Sequence, residues 1–259
     1  MQIDIYQVDA FASRAFEGNP AAVCPLDTWL PDSLMQSIAL ENNLSETAFF
    51  VPEGDGYAIR WFTPLAEVDL CGHATLASAW VIFHRLGHDE AAIRFASRSG
   101  PLTVNREGDL LELDFPAQPP TPCPVPKGLA GALGAKPREC LEFVDLVAVY
   151  DDPEDVLQAA PDMAALTALD YRGIIITAPS AEYDFISRFF GPAVGVPEDP
   201  VTGSAHTKLT PYWAQRLGNK QLNARQVSAR GGDLECTLAG DRVLIAGRAV
   251  LFLQGTLEV

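Results

Sequence analysis

The chain has 259 residues, of which 48% are hydrophobic and 20% are charged, and its formal net charge is −16. This composition is typical of a globular protein and excludes an intrinsically disordered one, and the length suffices for two domains with their own cores. The excess of acidic side chains argues against binding to nucleic acids or anionic membranes, since both are negatively charged.

The start of the chain and its cysteines bear on the cellular compartment. The first residues show neither the basic region nor the apolar core of a signal peptide. No apolar run approaches the ~20 residues that span a bilayer. The five cysteines are widely spaced and form no C-x-x-C pair. We therefore expect free thiols and a cytoplasmic location.

The first half of the chain combines strand patterns with two helix patterns. Strands are predicted at Ile3–Asp9, Thr47–Val51, Tyr57–Phe62, Ile93–Ala96, Leu102–Arg106 and Leu110–Phe115. A helix is predicted over Pro31–Asn42, where apolar residues follow helical spacing after a proline. A second helix over Gly72–Leu86 is apolar on nearly every side and is followed by a glycine, so we expect it to be buried inside its domain.

A proline-rich segment, Pro116–Pro126, contains six prolines close to the middle of the chain. Because proline lacks a backbone N–H and fixes φ, the segment should be neither helix nor central strand. We interpret it as a linker between an N-terminal domain, residues 1–116, and a C-terminal domain, residues 127–259. The last strand remains available to pack on the first domain.

The second half follows the same plan as the first. Strands are predicted near Leu141–Tyr150, Gly173–Thr177 and Tyr183–Phe190, then a buried helix at Gly203–Leu217 and a β-meander to Val259. Two sequence blocks also recur at nearly one spacing: Gly72–Gly87 returns as Gly203–Gly218, and Arg98–Asp109 returns as Arg230–Asp241. A repeat this long indicates duplicated domains.

These patterns predict an α+β fold of two pseudo-symmetric domains. Each domain is expected to be an antiparallel β-sheet or barrel wrapped around one buried central helix. Two similar domains facing each other would form a cleft, which is a favoured place for a ligand.

The loops before the two buried helices hold the residues best suited to chemistry. Both helices begin at a glycine, Gly72 and Gly203, which lets unpaired backbone N–H groups approach an anion closely. If the two helix starts face each other, they could bind a carboxylate without Lys or Arg. The nearby side chains suited to proton transfer are Glu67, His73, Asp199, Ser204 and His206.

Each of these side chains also has a structural interpretation. Thr202 and Ser204 could be helix caps. His73 could be a buried structural group, and Asp199, which precedes a proline, could initiate a turn. Glu46 lies just before an apolar strand, where desolvation would raise its pKa toward that of a general acid or base. A solvated strand end is the alternative interpretation of Glu46.

Other catalytic signatures are missing from the sequence. It contains no P-loop, no dinucleotide-binding glycine motif, no H-E-x-x-H and no G-x-S-x-G. With four histidines and no Cys/His cluster at ligand spacing, we expect no metal site. Proton chemistry would then run on side chains alone, without a cofactor.

Four ordered motifs resemble one known family over essentially the whole chain. They are Asp9–Phe11 with Phe16–Val23, Asn43–Ala48, Trp61–Pro64 with Glu67–Thr75, and Glu198–Ala205. On these motifs the chain resembles the phenazine-biosynthesis isomerase (PhzF-like) family, which shares the fold of diaminopimelate epimerase.

The resemblance implies a cofactor-independent isomerase, usually a homodimer, that acts on a small anionic metabolite between two similar domains. In the phenazine enzyme, a glutamate moves a proton between two carbons of a dihydro-hydroxyanthranilate. The residues that match the family's catalytic positions are Glu46, His73, Asp199 and Ser204. The residues expected to bind substrate at the helix starts are Gly72, Ala74, Thr202 and Gly203.

One departure bears on the type of reaction. The related epimerases use two thiols, one before each buried helix, whereas this chain has Cys71 before the first helix and no cysteine between Asp199 and Ser204. A proton shift by one carboxylate is therefore favoured over stereoinversion. Two alternatives remain: a thiol-assisted amino-acid epimerase or racemase built on Cys71, and a non-catalytic protein that binds a small molecule.

Overall fold

The structure is a computed structural model that describes all residues from Met1 to Val259. The chain divides into two compact units, residues 1–115 with 246–259 and residues 116–245. The architecture is α+β, as predicted, with few helices and many strands. None of the helices has the length and apolar character that a membrane crossing requires. All five cysteines are free thiols.

The elements are numbered in chain order. The strands are β1 (Gln2–Ala10), β2 (Asn19–Pro25), β3 (Glu46–Glu53), β4 (Gly56–Phe62), β5 (Glu67–Val68), β6 (Ala92–Ser97), β7 (Gly100–Glu107), β8 (Leu110–Pro116), β9 (Thr121–Cys123), β10 (Glu139–Glu142), β11 (Leu146–Val149), β12 (Ile174–Pro179), β13 (Phe185–Gly191), β14 (Val196–Asp199), β15 (Gln221–Gln226), β16 (Gly232–Ala239), β17 (Arg242–Gly247) and β18 (Ala249–Glu258). The helices are α1 (Asp32–Asn42), α2 (Gly72–Arg85), α3 (Leu129–Leu133), α4 (Pro153–Leu157), α5 (Met163–Thr167) and α6 (Gly203–Leu217).

The first unit joins its strands in a mixed pattern. Strand β1 is antiparallel to β2, and β2 is parallel to β3 through the crossover helix α1. Strand β3 is antiparallel to β4, which is antiparallel to β5 and parallel to β6. The second parallel pair, β4 and β6, is connected through α2. Strands β6, β7 and β8 then form an antiparallel meander.

The second unit repeats this order of pairings. Strand β10 is antiparallel to β11, β11 is parallel to β12, and β12 is antiparallel to β13. Strand β13 is antiparallel to β14 and parallel to β15, and β15 is antiparallel to β16. Here α6 lies in the connection between β13 and β15, as α2 does between β4 and β6. The repeated topology agrees with the duplication seen in the sequence.

The expectation of purely antiparallel strands is wrong. Each unit contains two parallel pairs, and helices lie in all four of their connections: α1 and α2 in the first unit, and α4 with α5, then α6, in the second. A crossover through a helix is the usual way to join parallel strands, whereas a tight hairpin can join only antiparallel ones.

The proline-rich segment is integrated into the second unit and begins it. Pro211 lies inside α6 and cannot donate to the carbonyl of Thr207, one turn earlier in the helix. The backbone N–H of Gln118 donates to that carbonyl instead, at 3.0 Å. Strand β9, inside the proline-rich segment, adds to the sheet by pairing with β10. The proline-rich segment is therefore part of the second unit and not a linker between two domains. One of its backbone N–H groups donates to a carbonyl that Pro211 leaves open in α6.

The end of the chain belongs to the first unit. Strand β18 runs antiparallel to β1, with a register from Gln2 opposite Glu258 to Ala10 opposite Ala249. The predicted C-terminal domain, residues 127–259, had placed this strand in the second half while allowing it to pack on the first. Backbone hydrogen bonds to β1 are the reason why the C-terminal strand belongs to the first unit.

Candidate functional site

The predicted site residues fall into two groups, one in each unit. In the first unit, Glu46 is the first residue of β3, while Gly72, His73 and Ala74 form the first turn of α2. In the second unit, Asp199 ends β14, Thr202 immediately precedes α6, and Gly203 and Ser204 begin that helix.

Glu46 and His73 are in close contact. His73 Nε2 lies 3.2 Å from Glu46 Oε2, a close contact whose angle does not have hydrogen-bond geometry. The side chains are 6% and 17% exposed, respectively, so water screens the contact little. Burial lowers the pKa of His73 to about 3, so the imidazole is neutral at physiological pH. The contact is therefore between a neutral imidazole and a carboxyl group, not a charged histidine pair.

Asn19 holds the other side of the imidazole. Its amide nitrogen lies 3.2 Å from His73 Nδ1, and its side chain is fully buried at the start of β2. With the Asn19 amide nitrogen as the donor, Nδ1 is the acceptor, and this assignment puts the single proton of the neutral ring on Nε2, the nitrogen in contact with Glu46. Gly18 makes the approach possible, because at its φ of +66° a Cβ would lie 2.1 Å from the carbonyl oxygen of Ala10.

Cys71 completes this first group. Its sulfur lies 3.5 Å from His73 Nδ1 and 4.0 Å from Nε2. Ligand atoms of Glu46, Cys71 and His73 all lie within 4.8 Å of one another, so these three could hold a metal ion. The sequence showed no ligand spacing because the glutamate comes from a separate strand and meets the Cys-Gly-His segment only in the folded unit.

The second group is built around a fixed turn between β14 and α6. The hydroxyl of Thr202 donates to Asp199 Oδ2 at 2.5 Å. The buried side chain of Gln226 accepts from the backbone N–H of Thr202 at 2.8 Å and donates to the carbonyl of Asp199 at 2.7 Å. No side chain caps α6, so Thr202 does not have the capping role considered from the sequence. The same is true of α2, where Cys71 occupies the capping position.

A charged network that the sequence analysis missed lies beneath the start of α6. Arg172 makes a two-pronged contact with Asp145, at 2.8 and 2.6 Å, and reaches Ser204 Oγ at 3.4 Å. Lys208 Nζ lies 3.2 Å from Asp145 and donates to the carbonyl of Ser204 and to Gln118, both at 2.9 Å.

This network places two cations and one anion beside the helix start. Asp145 is fully buried and Lys208 is only 1% exposed. Burial lowers the pKa of Lys208, and the charge of Asp145 opposes that shift. Lys208 is one turn after Ser204 in a helix predicted to be buried, so a lysine at an apolar position was the available signal. Asp145 and Arg172 gave no comparable signal.

The other two candidate side chains, Glu67 and His206, make contacts that stabilise the fold. Glu67 accepts two contacts from Arg60, at 2.7 and 2.8 Å, and one from Arg98 at 2.8 Å, so it is the centre of an ion-pair cluster. His206 is fully buried, with Nδ1 2.8 Å from the carbonyl of Thr202 and its ring beside Phe185. Burial lowers the pKa of His206 to about 4.

Comparison with known proteins places the chain in a family. The sequence profile of the phenazine biosynthesis-like proteins (PhzC–PhzF) matches residues 8–255. An uncharacterized isomerase of Pseudomonas aeruginosa is 57% identical over the full length of both chains. The crystal structure of a PhzF-family protein from Enterococcus faecalis is 49% identical, covers 100% of both chains and superposes with a TM-score of 0.98.

A more distant structure shows the breadth of the fold. A probable proline racemase from Agrobacterium radiobacter superposes with a TM-score of 0.66 at 11% identity, over 99% of this chain and 92% of its own. This likeness concerns the fold alone and agrees with the predicted diaminopimelate epimerase-like architecture. The motifs, the matching profile and the full-length relatives agree, and the chain belongs to the phenazine biosynthesis-like (PhzF) family of isomerases.

Proposed function

We propose that the protein is a cofactor-independent isomerase that moves a proton between two carbons of a small carboxylate-bearing metabolite. Its reaction would be similar to that of dihydro-hydroxyanthranilate isomerase. Glu46 is the general acid and base. The observation that carries this proposal is the 3.2 Å contact between Glu46 and a histidine whose ring is neutral and whose other nitrogen faces Asn19.

The proton balance follows from the state of His73. A neutral imidazole with its proton on Nε2 can donate toward one oxygen of the Glu46 carboxylate and orient it. With a pKa of about 3, His73 does not retain a second proton at neutral pH, so it is a positioning residue rather than the acid. Glu46 takes the proton from one carbon, becomes a neutral carboxylic acid, and returns the proton to the other carbon. One base on one face favours a proton shift over inversion.

The second group supplies the anion-binding part of the proposal. The first N–H groups of α6 carry partial positive charge, and no side chain caps them. Arg172 and Lys208 together exceed the charge of Asp145 by one positive unit close to Ser204. We assign Gly203 and Ser204 to the substrate carboxylate, with Gly72 and Ala74 as the corresponding donors at α2. Asp199, fixed by Thr202, orients a polar group of the substrate.

The test is hydrogen exchange at carbon. The protein is incubated in deuterated water with a panel of cyclic amino- and hydroxycarboxylates that includes dihydro-hydroxyanthranilate. We expect deuterium to enter one carbon, and we expect Glu46→Gln to lower the rate by roughly 10²–10⁴-fold, the range that general acid–base catalysis supplies. Glu53→Gln, on the exposed end of the same strand, is the matched control. Full exchange in Glu46→Gln would refute the assignment.

A thiol-assisted epimerase is the second candidate, because Cys71 lies 3.5 Å from His73. It predicts racemisation of an amino acid, inactivation by iodoacetamide and a severe loss in Cys71→Ser. The start of α6 offers Asp199, Thr202 and Ser204 but no second thiol, which favours the carboxylate mechanism. A non-catalytic binding protein would bind carboxylates from the panel and exchange no deuterium with any of them.

A further inference from the structure

We propose that Glu46, Cys71 and His73 form a binding site for a thiophilic divalent cation such as Zn²⁺, and that the bound cation inhibits the isomerase. Binding rests on the geometry of the first unit alone, whereas inhibition also rests on the proposed function of Glu46.

The distances are close to those of a tetrahedral zinc site. With Zn–N and Zn–O bonds of about 2.0–2.2 Å and a Zn–S bond of about 2.3 Å, neighbouring ligand atoms lie roughly 3.3–3.6 Å apart. Here His73 Nε2 lies 3.2 Å from Glu46 Oε2 and 4.0 Å from Cys71 Sγ, and one ligand atom of each residue lies within 4.8 Å of those of the other two. The sulfur of Cys71 lies closer to Nδ1, at 3.5 Å, than to Nε2, at 4.0 Å, so a rotation of the Cys71 side chain must carry the sulfur to the Nε2 side of the ring when the ion binds.

The ligand types also suit zinc. One thiolate, one imidazole and one carboxylate provide sulfur, nitrogen and oxygen donors and leave the fourth position open. The side chains of Glu46 and His73 are 17% and 6% exposed, and Cys71 is 7% exposed. The three ligands are therefore mostly shielded from water, unlike a group of acidic side chains on the surface. Cys71 immediately precedes α2 and His73 is its second residue, so the start of this helix supplies two of the three ligands.

Asn19 would hydrogen-bond to the nitrogen of His73 that does not bind the ion. When Nε2 ligates a metal, the ring proton moves to Nδ1, which then needs an acceptor. The amide of Asn19, 3.2 Å from Nδ1, has both a donor and an acceptor, so its rotation by half a turn presents the oxygen. The same residue can therefore serve the metal-free and the metal-bound ring.

The binding step is a proton-for-metal exchange. Zn²⁺ forms bonds with the thiolate sulfur, with the neutral imidazole nitrogen and with the carboxylate oxygen, and the thiol proton leaves to the buffer. No oxidation state changes. Zinc bound to one oxygen lowers the basicity of the whole Glu46 carboxylate, so the group becomes a poor base for a proton on carbon and a filled site is an inactive site.

Cobalt provides the direct test, because tetrahedral Co²⁺ absorbs in the visible and its thiolate bond absorbs in the near ultraviolet. The full chain, treated with chelator and then freed of it, is titrated with Co²⁺ and afterwards with Zn²⁺. We expect one ion per chain, a thiolate absorption band and displacement of the cobalt by zinc. Calorimetry in two buffers of different ionisation enthalpy should register the released proton.

Three variants decide whether these residues are the ligands. Cys71→Ser should remove the thiolate band and weaken binding by ~100-fold or more, at least the effect of losing an outer-shell partner. Glu46→Gln should weaken binding similarly, and it keeps the test valid if Cys71→Ser fails to fold. Cys123→Ser, which changes a half-buried thiol of the second unit, should bind cobalt like the unmodified chain. Equal affinity in Cys71→Ser and Glu46→Gln, or no thiolate band in the unmodified chain, would overturn the site.

The inhibition is measured separately from binding. One equivalent of Zn²⁺ should suppress deuterium exchange, and a chelator should restore it. Binding without inhibition would overturn the inhibition and count against Glu46 as the base. Absence of binding together with an inactive Glu46→Gln variant would overturn the metal site and leave the proposed function standing.

Discussion

The starts of α2 and α6 occupy the same place in two copies of one topology but have different chemical surroundings. At α2, the neutral His73 lies between Glu46 and Asn19 and close to Cys71. At α6, Ser204 lies above a network of full charges, and the preceding turn is fixed by polar side chains. The first arrangement suits the movement of a proton, and the second suits the binding of an anion.

The difference shows how a duplicated scaffold can acquire two roles. Both copies keep the crossover helix, the parallel strand pair and a helix start that no side chain caps. Only the side chains around those starts diverged, and side chains can change without altering the strand pairings.

The buried ion pair of Asp145 and Lys208 should stabilise the second unit. Asp145→Asn leaves Lys208 buried beside a neutral amide, and removing one partner of a buried pair destabilises a protein by about 3–5 kcal/mol. Urea unfolding measures the change. Adding Lys208→Met should restore much of the loss, because the uncompensated charge is then gone.

Asp109→Asn is the matched control for the buried pair. Its side chain is 86% exposed in an ion pair with Arg248, so the change should be below ~1 kcal/mol. Equal stability of Asp145→Asn and the unmodified chain would show that the buried pair does not stabilise the second unit.

The pH dependence of stability should have a contribution from His206. Its pKa in the folded state is about 4, below the unfolded value of about 6.5, because burial disfavours the charged ring. Its Nε2 has no hydrogen-bond partner, so a second proton would lack an acceptor. The unfolded chain therefore binds the proton first. The stability is fully present above pH ~6.5 and falls as the pH drops toward ~4, by on the order of 3 kcal/mol.

Unfolding free energies between pH 7 and pH 4 test this linkage. His206→Gln should flatten the curve relative to the unmodified chain. An identical slope in His206→Gln would contradict the prediction.

His73 should affect turnover more than substrate binding. His73→Leu removes the donor that orients Glu46, so we expect kcat to fall by roughly 10²-fold with a small change in KM. Deuterium exchange rates at several substrate concentrations separate the two parameters. His73→Gln, which can still donate through its amide, should recover part of the loss. A pure KM effect would assign His73 to substrate binding instead.

Ser204 should show the opposite pattern. Ser204→Ala removes one neutral hydrogen-bonding group from the proposed carboxylate site, so we expect KM to rise by about tenfold with kcat nearly unchanged. Ser180→Ala, in a loop of the same unit, is the control. A large loss of kcat in Ser204→Ala would place the hydroxyl in the proton transfer and remove the contrast between the two helix starts.

Local patterns predicted the long elements well. The two buried helices, α2 and α6, begin at the glycines named from the sequence, and most of the strands flanking them lie where alternation indicated. The missed elements include β2, a strand of seven residues, and the short elements β14, α3, α4 and α5. A five-residue helix has too few turns to show periodicity, and its stability comes from packing rather than from its own sequence.

The site was predictable only in part, because several of its contacts join residues that are far apart in sequence. Motifs identified Glu46 and His73 as candidates, and the fold brings them to 3.2 Å. Asn19 lay within a quoted motif but had no assigned role, because its role depends on which nitrogen of a distant ring it faces. Asp145, just before β11, and Lys208, in α6, are far apart in sequence and form a pair only in the folded second unit.

The sequence by itself determined the duplication, the α+β class, the two glycine-started helices and the family to which the chain belongs. These properties follow from periodicity and from short motifs, which depend on residues that are neighbours along the chain. The tertiary structure decided the mixed direction of the strands, the place of the C-terminal strand, the tautomer of His73, the buried charges under α6 and the ligand-like cluster of Glu46, Cys71 and His73. Each of these depends on contacts between residues far apart in sequence, and only the packed chain brings such residues together.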